Sequence, residues 1–122
     1  MRLLNEYLPV LKNIGLAARA RKITFGSEMT CDAIRAGKVS LVLMCDNASS
    51  NTAKKLISCC EQNGVECYRV PIDADALANA VGKNKPLMSV GVTDANLSVP
   101  VRNSILDLSN ATSSQKVSES EV

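Results

Sequence analysis

The sequence predicts a three-layer α/β/α sandwich around a mixed sheet of about four strands, and two patterns predict it. Segments with apolar residues at helical spacing alternate with short apolar runs of strand length, in the order α-β-α-β-α-β-α-β-α. The run Leu41-Val42-Leu43-Met44-Cys45 is apolar at every position, as a strand covered on both faces must be. A chain of 122 residues with 46% hydrophobic content can bury one core of this kind and is short for two.

Each element has a local cause. Val10, Leu11, Ile14, Ala17 and Ala18 form the stripe of an amphipathic helix. Pro9 fits only near a helix start, which places this helix at about 6–20. Ile23-Thr24-Phe25 reads as a short strand. Gly26-Ser27 then opens a second helix, with Ser27 as its N-cap and Gly37 as its stop. After the strand at 41–45, the polar segment 46–50 supplies caps for a helix with the stripe Ala53, Leu56, Ile57 and Cys60, closed by Gly64. A strand at 66–70 ends at Pro71, and Asp73 caps a helix carrying Leu77, Ala80 and Val81, with Gly82 just past its end. The last strand covers 88–92, and a weaker helix at about 94–108, interrupted at Pro100, completes a single domain over 1–108. Residues 109–122 are Ser-rich, carry Glu119 and Glu121 and offer almost nothing to bury, so a disordered tail is expected there.

Composition then excludes several classes of function. No apolar run approaches the roughly 20 residues of a membrane span, and the first residues lack a signal-peptide core, so a cytoplasmic protein with no membrane partner is expected. The five cysteines, Cys31, Cys45, Cys59, Cys60 and Cys67, contain no Cys-x-x-Cys pair, and the chain has no histidine. A metal centre would need four scattered thiolates or carboxylates, so neither a metal nor another cofactor is expected. Cys45 and Cys67 lie in strand runs and Cys60 on a helix stripe, where a cysteine acts as a small buried hydrophobe. An enzyme is not expected, because no nucleophile sits beside a plausible base. Asp46 follows an apolar strand as a phosphoacceptor would. However, Lys85-Pro86 precedes the last strand instead of following it, and no acidic pair follows the first strand to hold magnesium. Two tyrosines and one phenylalanine make no platform for stacking single-stranded bases.

Charge is the remaining signal. Residues 1–60 carry nine Lys/Arg against four Asp/Glu, and residues 61–122 carry five against eight. A basic half on a chain of net charge +2 suits an oriented anionic partner. The stretch Arg19-Ala20-Arg21-Lys22-Ile23-Thr24-Phe25-Gly26-Ser27 concentrates that charge before a helix start. The first N–H groups of a helix have no internal partner, and the helix dipole adds partial positive charge there. Arg19, Arg21 and Lys22 are therefore expected beside a phosphate-attracting helix N-terminus.

Gly15-Leu16-Ala17, Arg19, Gly26, Ala33-Ile34-Arg35, Gly37-Lys38, Asp46, Ala48-Ser49, Asn51-Thr52 and Lys54-Lys55-Leu56 occur in an order and spacing that resembles one family. It is the L-seven-Ae / L-thirty-e ribosomal-protein superfamily, above all its small bacterial YlxQ-type ribosome-associated branch, and the similarity covers about 11–95. The resemblance implies the same sandwich and a small RNA-binding protein of the ribosome or translation machinery. Its implied partners are structured ribosomal RNA and, further, ribosomal proteins, with the protein itself a monomer. Many members bind kink-turns through Gly, a small hydroxyl residue, Asn or Lys, and Glu or Gln in the turn before the second helix. The matching positions here are Gly26, Ser27, Glu28 and Met29. Gly26 and Ser27 fit phosphate and sugar contact. Glu28 and Met29 depart from the pattern, because a carboxylate repels phosphate and a thioether cannot hydrogen-bond as a carboxamide does. The resemblance implies a second surface after Gly82. There Lys83-Asn84-Lys85-Pro86 is cationic and polar, which suits backbone contact more than base packing. With Lys38, the implied RNA-contacting residues are Arg19, Arg21, Lys22, Gly26, Ser27, Glu28, Met29, Lys83, Asn84 and Lys85. Lys54 and Lys55 read as an ordinary solvated face. The alternative is a protein–protein interaction adaptor on the same scaffold, with Met29 and Phe25 at the centre of its contact patch.

Overall fold

The structure is a computed structural model that describes residues 2–46, 48–109 and 115–116. The elements are α1 (Arg2–Arg19), β1 (Ile23–Phe25), α2 (Ser27–Arg35), β2 (Leu41–Cys45), α3 (Ser50–Asn63), β3 (Glu66–Val70), α4 (Ala74–Ala80), β4 (Ser89–Val92), α5 (Ala95–Ser109) and β5 (Gln115–Lys116). The strands form one sheet in the order β1-β4-β2-β3-β5. Only β2 and β3 run parallel; the other neighbours are antiparallel.

The uniform burial of β2 explains the layering. Successive side chains of a strand point to opposite faces, so an all-apolar strand feeds two cores. Leu41, Leu43 and Cys45 join Tyr68, Val70, Val90 and Val92 against residues of α1, α4 and α5. Val42 and Met44 join Cys67 against Cys31, Ile34, Leu56, Ile57 and Cys60 of α2 and α3. Each fully buried side chain of this size stabilises the fold by about 1.5–3 kcal/mol. All five cysteines are buried free thiols within this packing. Among the described residues, no helix is long and apolar enough to cross a membrane.

The caps and stops follow the sequence closely. Ser49 accepts from the Thr52 N–H and Asp73 from the Ala76 N–H, starting α3 and α4. Three helices end in one repeated closure: Lys22 N–H to the Ala17 carbonyl with Arg21 N–H to Ala18, Lys38 to Ala33 with Gly37 to Ile34, and Lys83 to Ala78 with Gly82 to Asn79. Val65 to Cys60 closes α3 similarly. Such an ending needs a residue in the left-handed region, and Gly37, Gly64 and Gly82 supply it at φ 74°, 67° and 76°. At the end of α1 the same slot is held by Arg21, at φ 60°. A side chain in that conformation costs about 1–2 kcal/mol.

The structure departs from expectation in four places. α1 begins at Arg2 and runs through Pro9, because burial of Tyr7, Val10, Leu11 and Ile14 offsets the hydrogen bond that proline removes. α5 likewise runs through Pro100 without interruption. Val101 and Ile105 anchor it in the core, and Asn13 Nδ2 of α1 donates to the Pro100 carbonyl (3.2 Å) and to Ser104 Oγ (3.0 Å). Gly26, not Ser27, occupies the N-cap of α2. Ser27 is already helical, and its hydroxyl faces Ser89 Oγ at 3.2 Å instead of turning back on the helix. Finally, Gln115–Lys116 lies within the segment expected to be a disordered tail, yet it pairs with β3 through Tyr68↔Lys116 and Arg69↔Gln115. That pairing occupies backbone groups which an edge strand leaves open. The rest of the expected tail beyond Ser109 lies outside the described residues.

Candidate functional site

The turn between β1 and α2 is held by three constraints. Gly26 has φ 84° and ψ 167°, a region essentially closed to residues with a side chain. An added Cβ would meet nothing within 4 Å, so the backbone, and not lack of space, demands the glycine. The Gly26 N–H donates to the Ser89 carbonyl at 3.0 Å and carries the β1–β4 ladder one bond past Phe25. Beneath the turn, Thr24 Oγ1 lies 2.7 Å from Thr30 Oγ1 and accepts from the Gly91 N–H at 3.0 Å. Both threonines are buried, and together they tie the start of α2 to β1 and β4. The first intrahelical bond of α2 runs from the Thr30 N–H to the Gly26 carbonyl at 3.1 Å, and no side chain caps this end. The N–H groups of Ser27, Glu28 and Met29 are therefore without intrahelical acceptors.

A residue distant in the chain completes this surface. The closure at Gly82 turns the chain so that Lys83 Nζ sits 4.3 Å from the centre of the Phe25 ring. Such a cation–π contact is worth about 0.5–1 kcal/mol when exposed. Because Phe25 immediately precedes Gly26, the turn at 26–29 and the loop at 83–85 form one rim. Glu28, Met29, Lys83, Asn84 and Lys85 are exposed on it and Ser27 is half-buried. Glu28 stands in the first turn of α2, where a carboxylate favours the helix dipole. Met29 is 51% exposed, and its sulfur accepts from the Phe25 N–H at 3.4 Å. The thioether thus covers a backbone donor on the open edge of the sheet, while the ring of Phe25 is covered by Lys83. Sequence spacing carries no signal for the Lys83–Phe25 contact.

The basic stretch before β1 does not join this rim, contrary to expectation. The register runs from Ile23↔Val92 to Phe25↔Val90, with the Thr93 N–H on the Lys22 carbonyl at one end and the Gly26 N–H on the Ser89 carbonyl at the other. Lys22 and Gly26 therefore stand about 13 Å apart, at ~3.3 Å per extended residue. Arg21 and Lys22 sit at the far end of β1. Lys38 shares that end, because the Ser40 N–H bonds the Val92 carbonyl at 2.8 Å. Arg19 lines a groove of about 690 Å³ between α1 and α4 with Leu8, Lys12 and Leu16, a feature that the helix stripe alone did not single out.

The chemistry available is that of holding an anion. No group of His, Cys, Asp or Glu that could hold a metal occurs among the described residues. Burial pushes the Cys45 thiol up to about 12, with Asp73 and Asp46 adding to it, and burial beside Cys59 pushes Cys31 up to about 11. Thiols so shifted are poor nucleophiles near neutral pH. Backbone donors, the Ser27 hydroxyl, the Asn84 carboxamide and the ammonium groups of Lys83 and Lys85 line the rim, beside the Glu28 carboxylate and the Met29 thioether.

Residues 9–101 match the sequence profile of the ribosomal protein L7Ae/L30e/S12e/Gadd45 family. The chain is 39% identical over 89 residues to the RNA-binding protein YlxQ of Bacillus subtilis strain 168, which covers 73% of this chain and 84% of that one. It is 32% identical over 77 residues to the RNA-binding protein YlxQ of Enterococcus faecium, covering 63% and 74% respectively. Among solved structures, a Bacillus halodurans protein of unknown function superposes with a TM-score of 0.73 at 33% identity, over 78% of this chain and 94% of that chain. The Giardia lamblia 15.5 kD RNA-binding protein shares the fold with a TM-score of 0.69 at 18% identity, over 88% of this chain and 91% of that chain.

Proposed function

The chain belongs to the ribosomal protein L7Ae/L30e/S12e/Gadd45 family, and we propose that it is a small RNA-binding protein of the ribosome or translation machinery. In this reading it holds structured RNA by the backbone at the rim formed by the Gly26 turn and the loop after Gly82. The observation that carries the proposal is Lys83 seated over Phe25, which sets a cation beside a rigid turn with uncapped helix N–H groups. Two relatives at 39% and 32% identity are RNA-binding proteins by name, which supports the same class of ligand. Phosphate oxygens accept from the first N–H groups of α2 while Lys83 and Lys85 neutralise their charge. Glu28 and Met29 offer no carboxamide to a base edge, so recognition is by shape and backbone more than by base identity.

Fluorescence anisotropy with labelled fragments of total ribosomal RNA tests this, with an unrelated acidic protein as the control. The K83A/K85A variant should bind more weakly and respond less to salt. For every phosphate that is no longer neutralised, the ratio of Kd values between 50 and 200 mM salt should shrink by about threefold. Absence of binding by the wild type, or an unchanged salt response in the variant, sinks the proposal. If RNA binding is silent and Met29→Glu abolishes association with a protein partner, the adaptor reading takes its place.

A further inference from the structure

The far end of β1 presents a second cationic surface. Arg21, Lys22 and Lys38 are all exposed there. On the sheet, Lys22 and Ser40 flank the end of β4 from opposite sides, about 10 Å apart at ~4.8 Å per strand spacing, with Lys38 just before Ser40. Among the described residues none of the three is ion-paired; the carboxylate pairs are Arg35 with Asp32 and Arg102 with Glu66. Asp94, next to Thr93 at this end, spends its Oδ1 on the N–H groups of Asn96 (2.8 Å) and Leu97 (3.1 Å) as the cap of α5.

Arg21 makes this more than a scatter of surface charge. It occupies the left-handed position that Gly37, Gly64 and Gly82 fill at the ends of the other helices. A glycine would end α1 equally well without the strain. Stabilising the helix dipole does not account for the arginine either, because Arg19 already places a cation in the last turn. A side chain placed at a strained position points to a use for that side chain. Its guanidinium offers a planar set of donors suited to phosphate.

We propose that Arg21, Lys22 and Lys38 hold a second phosphate segment of the same RNA, at the opposite end of β1 from the Gly26 turn. The proposal rests on the RNA-binding reading above. It adds that the ligand reaches over about 13 Å, on the order of four base-pair steps at the ~3.4 Å of duplex axis that each nucleotide of a strand spans. Among the described residues β1 is an edge strand, and no other strand pairs along its outer side between the two ends.

Arg21→Gly separates this role from a structural one, because it relieves strain while removing charge. Labelled ribosomal RNA fragments of about 50 nucleotides serve as the probe, with Arg21→Lys and K83A/K85A alongside. R21G should keep a Tm equal to that of the wild type or up to about 5 °C above it. Its Kd ratio between 50 and 200 mM salt should nevertheless fall about threefold, while R21K keeps the wild-type ratio. If R21G binds with unchanged affinity and salt response while K83A/K85A is weakened, Arg21 only ends a helix, and the second surface is refuted with the RNA reading intact. If the wild type fails to bind the fragments at all, both fall together.

Discussion

Thr24→Val should cost far more than its near-identical shape suggests. The Thr24 hydroxyl is buried, accepts from the Gly91 N–H at 3.0 Å and meets Thr30 Oγ1 at 2.7 Å. Replacing it with a methyl forfeits a net hydrogen bond of about 1 kcal/mol and leaves the buried Thr30 hydroxyl without its partner, a further ~1–3 kcal/mol, while the Gly91 N–H keeps the Thr24 carbonyl of the β1–β4 ladder as acceptor. The methyl also cannot sit 3.0 Å from a nitrogen and must retreat by about 0.5 Å, in a place where an added Cβ on Gly91 would already lie 2.7 Å from Thr24 Oγ1. The expected loss is therefore about 2–4 kcal/mol, measured as the shift of the urea midpoint at unchanged slope. Thr30→Val leaves the Gly91–Thr24 bond in place and should cost about 1 kcal/mol. The double variant should cost less than the two singles together, because each removes the group the other orphaned. A T24V loss below about 0.5 kcal/mol, or one equal to that of T30V, would refute the assignment of Thr24 as the tie beneath the turn.

Gly26→Ala should destabilise the fold by about 1–3 kcal/mol through backbone strain alone, since the added methyl meets nothing within 4 Å; an unshifted urea midpoint would contradict the positive φ. Cys45 yields a pH prediction. Its folded pKa of about 12 lies above its ordinary 9.0, so above pH 9 the unfolded chain releases a proton that the native thiol keeps, and stability falls as pH rises. The loss from this group approaches ~1.4 kcal/mol per pH unit between those values. Cys45→Val should flatten the decline of the urea midpoint between pH 9 and pH 10, and parallel curves for the two proteins would count against it.

Most of the fold is legible in the sequence because its signals are local. The apolar run at 41–45, the stops at Gly37, Gly64 and Gly82 and the cap at Asp73 each depend on side chains a few residues apart. The two prolines read wrongly for the same reason. Their local cost is visible in the chain, but the burial of Tyr7 and Val10, or of Val101 and Ile105, belongs to the assembled core. Of the candidate site, Gly26 and the cations of 83–85 are named by sequence and resemblance, whereas their union is not. The sequence by itself determines which segments become helices and strands, where they stop and which half of the chain is basic. Only the tertiary structure decides that Lys83 belongs with Gly26, and that Arg21, Lys22 and Lys38 stand together at the other end of β1. The reason is register: pairing of β1 with β4 converts a short chain separation into about 13 Å of space, while the return from α4 brings a distant lysine onto Phe25.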